Sequence, residues 1–490
     1  MGFNSCDPTS RIGNNNNNTG TLDPITGRTS NNNTNNTRDS IQPVATVDTI
    51  KWCDTIEQSA TKKMVLCFTK IDGQAIQTDT VDIIEINPNS VFDPSTQDTL
   101  VKVDTTIKLK KAYNVAILMP FMASGFVPAP TKEIPGKSLR ALEFYEGVRL
   151  ALDTLEKQGI NLFVNIYDTK KSTATVQEIL RKQELQEADL IIGPVSSKVS
   201  KEVAKFAKEN KIPMVSPFNS RGNIADKNPY YIQLNPSFEP HSKVIVDYVF
   251  NKFESRHPKK YLVLGMKQDT GRMKLIQDAY ADLKNDINAK IPQHITKDNT
   301  LSIESIKKHL SKDSENIIII PSYKDESFIY NALREINSLI DKLEMKKSYK
   351  LTVIGMSRWR YYERVNFEYY SNLNMLLTSE VHINTSRSKH FKTEYKQTYG
   401  ISPREFGYIG YDVMLYFGQM LKKYSKAFPS FIWKEKRQMC HTHFQFEPVY
   451  LNQGALDGSN PSNMQNVIMR YQNAHINLLD FEEYELKKIN

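Results

Sequence analysis

The chain has 490 residues, of which 39% are hydrophobic and 24% charged, a globular balance with room for two or three domains. No run approaches the roughly 18 consecutive apolar residues that a membrane-spanning helix needs, so the body is expected to be soluble. The formal charge is +9, yet Lys and Glu are interspersed along amphipathic stretches such as SKEVAKFAKENK, the pattern of a solvated helix face and not of a nucleic-acid-binding patch.

At the start of the chain, MGFNSC looks like the end of a bacterial lipoprotein signal, where a small residue precedes the cysteine that becomes the lipidated mature terminus. A lipid on Cys6 and an ordinary exposed cysteine both stay open. The stretch that follows is Asn, Thr, Ser, Gly and Pro, including NNNNN and NNNTNNT, and cannot bury enough apolar surface to offset its ordering entropy. Residues 1–47 are therefore predicted to be a disordered tether, with a root-mean-square reach of about 35 Å. Residues 48–111 alternate short β-branched runs (TKKMVLCFTKI, TDTVDIIEI, DTLVKVDTTIKL) with turn residues, which fits either a small β module or an extended connector. In an oxidising compartment Cys53 and Cys67 are a candidate pair that leaves Cys440 free.

From 112 the pattern changes. AYNVAILMPF is a continuous apolar run, SLRALEFYEGVRLALDTLEKQG is helical in its apolar spacing, and INLFVNIYD, TATVQEILRKQELQ, ADLIIGP, SSKVSKEVAKFAKENK and IPMVSPFN continue the alternation. A second series runs from KKYLVLGM through NIIIIPS and YKLTVIGM to NMLLTSE. Continuously apolar strands separated by single helices mean parallel sheets covered on both faces, so the fold class is α/β with two Rossmann-like lobes, preceded by the tether and the β-rich segment.

In open parallel sheets a ligand sits beyond the carboxyl ends of the strands, where helix N-termini point free N–H groups. The candidate ligand-binding residues are those at these ends: Ser196 and Ser197 after ADLIIGPV, Ser216, Phe218, Asn219 and Ser220 in SPFNS, Tyr323 after NIIIIPS, and Arg358 and Trp359 after YKLTVIGMS. Each has a plainer role, the serines as helix caps and the aromatics as packing between lobes. Together, hydroxyls, an amide and three aromatics have the composition of a small-molecule pocket.

VAILMPF, LEFYEGVRLALDTLEKQGINLFVNIYDT, ADLIIGPVSS, KIPMVSPFNS, NPYYIQLNPS and FGYIGYDVMLYF together resemble the type I periplasmic binding proteins of the branched-chain amino acid class. The likeness is greatest to an envelope branch found in Bacteroidetes-like bacteria and often joined to LysM modules, though no LysM module is visible in this chain. The resemblance implies three crossings between lobes, with residues 112–236 and 386–425 in lobe 1 and 237–385 and 426–490 in lobe 2. It implies a solute gripped by Ser196 or Ser197 and by the loop Ser216 to Ser220. Two positions depart from the family pattern: Phe218 is bulky where a small residue is expected, and Met356-Ser357-Arg358 stands where an acid should pair an ammonium. An ammonium buried without its partner costs several kcal/mol, which argues against a simple amino acid ligand.

No G-x-S-x-G, Walker or G-x-G-x-x-G element follows a strand, and the nine histidines are scattered. In CHTHFQF, His441 and His443 share a strand face, but two ligands do not complete a zinc site. No catalytic residue, metal or cofactor is assigned. The expectation is a tethered, non-enzymatic protein of the periplasm or envelope that closes around a small solute, with a permease or envelope complex as further partner, a lipid anchor to the membrane and no nucleic acid. The alternative is an envelope interaction or regulatory protein that keeps the fold with a degenerate cleft.

Overall fold

The computed structural model describes residues 52–59, 62–71, 74–83, 109–123, 134–225, 227–298, 300–340, 349–450, 467–482 and 485–489. The tether, Cys6 and the run DTLVKVDTTIKL up to residue 108 lie outside the described residues. The chain divides into two units, 1–86 and 87–490. In the first, β1 (Trp52–Ser59), β2 (Lys62–Ile71) and β3 (Gln74–Ile83) form an antiparallel sheet in sequence order. The β1–β2 register sets the backbone of Cys53 opposite that of Cys67.

The second unit carries two seven-stranded sheets. The first series supplies β4 (Tyr113–Met119), β5 (Leu162–Asp168), β6 (Leu190–Ile192), β7 (Met214–Ser216) and β8 (Tyr231–Gln233). The second supplies β9 (Lys259–Met266), β10 (Gln293–Thr296), β11 (Glu315–Ile319), β12 (Lys350–Gly355) and β13 (Leu376–Ser379). Their spatial orders are β8-β7-β6-β4-β5 and β10-β9-β11-β12-β13, all parallel. In each series the first strand lies between the second and the third, so the same doubly wound topology occurs twice.

The apolar runs are continuous because both sheet faces are covered. Val115, Ile117 and Met119 of β4 point into one cluster with Phe144 and Val148, while Ala116 and Leu118 point into another with Val199, Val203 and Ala207. In the second sheet Leu262, Leu264 and Ile318 feed one cluster and Val263, Ile317 and Ile319 the opposite one. Side chains alternate across a strand, so each face needs its own apolar set.

The tail departs from the expected division. The resemblance places residues 426–490 in lobe 2, but after β14 (Arg437–Gln438) and β15 (His443–Phe444) the chain adds β16 (Phe446–Tyr450) and β17 (Ile468–Asn473) to the first sheet, β17 lying parallel to β8. Phe428, Phe444, Phe446 and Tyr471 are buried in the first-lobe core, with Phe444 and Phe446 against Tyr416 of helix Glu405–Tyr424, and this apolar set holds the segment there. Among the described tail residues, only β18 (Asn477–Glu482) and β19 (Glu485–Lys488) join the second sheet, as an antiparallel edge beside β13.

Helices Gly136–Lys157 and Glu405–Tyr424 pack on each other across the first sheet. Their contact depends on missing side chains: a Cβ at Gly147 would overlap the Gly407 carbonyl, and one at Gly410 would overlap the Phe144 carbonyl. This close approach sets where the N-terminal turns of both helices meet the cleft.

Candidate functional site

A cavity of about 530 Å³ lies between the two sheets, beyond the carboxyl ends of β7, β8, β11, β12 and β13. Its volume is in the range of small-molecule pockets. The first lobe contributes Pro217, Phe218, Leu234, Asn235, Arg140 and the helix start Glu405, Phe406 and Ile409. The second contributes Tyr323, Ser357, Arg358, Arg360, Tyr361, Tyr362, Glu380 and Val381. Thr442 completes the wall.

Of the residues expected from sequence, Phe218, Tyr323 and Arg358 line this cavity. Phe218 stacks edge-on against Phe144 at 5.7 Å and tilts on Phe406 at 5.3 Å, forming an aromatic wedge on the first-lobe wall. The guanidinium of Arg358 lies 5.8 Å from the Tyr323 ring centre.

The others are placed elsewhere. Trp359 is fully buried in the second-lobe core, and its indole N–H donates to the Ser322 carbonyl at 2.8 Å. Its ring fills the space that a Cβ at Gly355 would occupy, so it is a packing residue and not a stacking platform. Ser220 is exposed outside the lining set. Ser196 stands at the N-cap of helix Ser197–Glu209 without a side-chain cap bond.

Ser197, Ser216 and Asn219 satisfy one another behind the wall. The Ser197 hydroxyl donates to the Asn219 side-chain oxygen at 2.6 Å, and the Asn219 amide donates to the Ser200 and Ser216 hydroxyls at 2.9 and 3.3 Å. Asn219 is 5% exposed and Ser216 fully buried. A buried amide with these bonds has little capacity left for a ligand.

The acid missing after Gly355 comes from the neighbouring strand. Glu380 directly follows β13; its carboxylate accepts from the Ser357 hydroxyl at 3.1 Å and lies 3.5 Å from His241 Nε2, while His241 Nδ1 pairs with the Thr378 hydroxyl at 2.9 Å. Burial works to raise the Glu380 pKa, but the His241 bond and charge, the Glu380 backbone N–H and Ser357 outweigh it and hold the carboxyl down at about 2. The cavity therefore contains a carboxylate that stays ionised at neutral pH. It is legible in principle, since NMLLTSE reads as a strand and Glu380 is the residue at its carboxyl end.

Across the cleft from Glu380, Glu405 accepts a 2.6 Å hydrogen bond from the Tyr361 hydroxyl, joining the two lobes. Sequence reading also missed Arg360 and Tyr361, which directly follow Trp359 in the turn after β12, and Arg140 and Phe406, which lie near the starts of their helices, away from the strand ends.

Behind the Thr442 wall, Asp412 is fully buried and accepts from the backbone N–H groups of Cys440, His441 and Thr442 at 3.0, 2.8 and 2.8 Å. CHTHFQF is thereby held as structure: His441 is buried and stacked on Tyr408, and Cys440 is a buried free thiol. Among the described residues no group of three or more His, Cys, Asp or Glu is arranged to hold a metal ion, and no helix is long and apolar enough to cross a membrane.

Two doubly wound lobes facing each other over a small-molecule cavity define the ligand-binding fold of type I periplasmic binding proteins. The chain belongs to the receptor family ligand binding region, whose family model matches residues 144–442. No curated protein sequence matches it. Among solved structures it is similar to a putative branched-chain amino acid ABC transporter protein from Rhodospirillum rubrum, at 12% identity and a TM-score of 0.55, over 77% of this chain and 100% of that one. It is also similar to a branched-chain amino acid ABC transporter periplasmic ligand-binding protein from Burkholderia xenovorans, at 12% identity and a TM-score of 0.50, over 77% of this chain and 94% of that one.

Proposed function

We propose that the protein is a non-enzymatic solute-binding protein of the periplasm or envelope, tethered through a lipid on Cys6, whose lobes close by hinge motion on a small molecule and report or deliver it to a permease or envelope complex. The observation that carries this reading is the cavity itself: it is built from both lobes, so its occupant contacts both and favours closure. The family and the two solved structures, one a periplasmic ligand-binding protein by name, support the same class of activity.

The residues around the cavity bind and enclose: the Ser357 and Tyr361 hydroxyls are engaged by Glu380 and Glu405. Ser197, Ser216 and Asn219 are proposed to shape the wall from behind, and Phe218, Tyr323 and Arg358 to meet the solute.

The reading is tested by thermal-shift measurements over amino acids, peptides, organic acids, sugars and muropeptide fragments. A solute that raises Tm in the native protein but not in Asn235→Trp, which puts an indole into the cavity, supports it. A native protein that no solute stabilises, yet which co-purifies with an envelope complex regardless of cavity substitutions, overturns it in favour of a surface-interaction role.

A further inference from the structure

We infer, on the reading of the cleft as a solute site, that its ligand is a small dianion, a dicarboxylate or a phosphate monoester, held by Arg140 from the first lobe and by Arg358 and Arg360 from the second. All three line the cavity. Each guanidinium lies near an aromatic ring: Arg140 at 5.5 Å from Phe406, Arg358 at 5.8 Å from Tyr323 and Arg360 at 4.7 Å from Tyr361, measured to ring centres. A guanidinium supported by a ring keeps its in-plane donors available for planar oxyanion recognition.

No carboxylate of the same wall forms an ion pair with them. Among the described residues no carboxylate lies within ion-pair distance of these three arginines. Glu380 is engaged by His241 and Ser357, and Glu405 by Tyr361. Arg360 gives one N–H to the Ser379 hydroxyl at 3.2 Å, while its Nε is buried without a hydrogen-bond partner. Guanidinium donors on a cavity wall that have no carboxylate partner gain charge-assisted hydrogen bonds when an oxyanion enters.

The placement of the charges determines the valence. Closing the lobes brings cationic groups from both sides toward one space, which like-charge repulsion opposes. One negative charge leaves an arginine-bearing wall unmatched; two charges, either at the two ends of a dicarboxylate or on one phosphate, engage both walls. Glu380 and Glu405 face the same cavity and disfavour ligands of greater negative charge. Neutral aliphatic amino acids match this wall poorly because their single carboxylate meets three guanidinium groups.

The experiment is calorimetric titration of the full chain with succinate, glycerol 3-phosphate, L-leucine and glucose at matched ionic strength. Binding of succinate or glycerol 3-phosphate, weakened about tenfold or more in Arg140→Ala and in Arg358→Ala but unchanged in the remote Arg334→Ala, supports the inference. Which of the two dianions binds distinguishes carboxylate from phosphate recognition. Far-UV circular dichroism checks that these exposed substitutions leave the fold intact. Binding of leucine or glucose with no dianion binding overturns the inference and leaves solute binding standing, as does dianion binding unaffected by the arginine substitutions. No binding by any solute in this titration or the wider thermal-shift panel overturns both.

Discussion

Tyr361 of the second lobe and Glu405 of the first share a 2.6 Å hydrogen bond across the cleft, so the lobes are latched by one phenol donating to one carboxylate. The bond is charge-assisted, but Tyr361 is 58% exposed and water competes for both partners. Tyr361→Phe is expected to cost the closed form about 1 kcal/mol, a shift of about fivefold toward open molecules. Small-angle scattering should show a larger radius of gyration with unchanged secondary structure; an identical scattering profile would show that the latch does not govern closure.

The crossing of helices 136–157 and 405–424 places Arg140, Glu405 and Phe406 at the cavity. Gly410→Ala drives a methyl into the Phe144 carbonyl, so the helices must separate, at an expected cost of about 1–3 kcal/mol in calorimetric stability. Gly271→Ala, in a helix where an added Cβ meets nothing within 4 Å, is the control. It is expected to be neutral or to stabilise by about 1 kcal/mol through helix propensity.

Asp412→Asn replaces an acceptor for three backbone N–H groups by a side chain that presents a donor to some of them. The expected loss is about 2–4 kcal/mol in urea unfolding. Thr442 lines the cavity, so loosening residues 440–442 is also expected to weaken solute binding. A variant as stable as the native protein would show that this carboxylate does not anchor the segment.

Buried titratable groups should make stability depend on pH, with contributions of both signs. Burial, with the Arg360 and His382 charges, lowers the His441 pKa from 6.5 to about 3, and burial beside His443 lowers His475 to about 4. Below pH 6.5 the unfolded chain takes up protons that the folded chain refuses, so this contribution is complete above 6.5 and is lost as pH falls toward the folded values. For His441 the slope reaches about 1.4 kcal/mol per pH unit. Glu380, lowered from 4.5 to about 2, contributes stability above pH 4.5 that disappears as pH falls toward 2. Burial raises the Asp412 carboxyl to about 7, so as pH falls from 7 toward 3.8 the folded chain takes up a proton before the unfolded one does, which offsets the histidines. Over pH 7 to 5 the stability of His441→Gln in chemical denaturation should therefore fall less, or rise more, than that of the native protein; identical slopes would exclude His441 as a contributor.

The relation between sequence and structure differs for the frame and for the site. Runs such as AYNVAILMPF and NIIIIPS, spaced by single amphipathic helices, determined two doubly wound lobes, because a strand buried on both faces must be apolar at every position and that requirement is local. The same logic located Phe218, Tyr323 and Arg358 at strand ends that do face the cavity. Tertiary structure alone decided which polar groups were already satisfied: Ser197, Ser216 and Asn219 look available in the sequence, but hydrogen bonds among themselves and with Ser200 use that capacity. It also decided that Trp359 turns into the core, that β16 and β17 stay with the first sheet, and that Arg140, Glu380 and Glu405 meet around one space. A residue's type and local period determine which element it joins, whereas its function depends on neighbours far along the chain that only packing brings within reach.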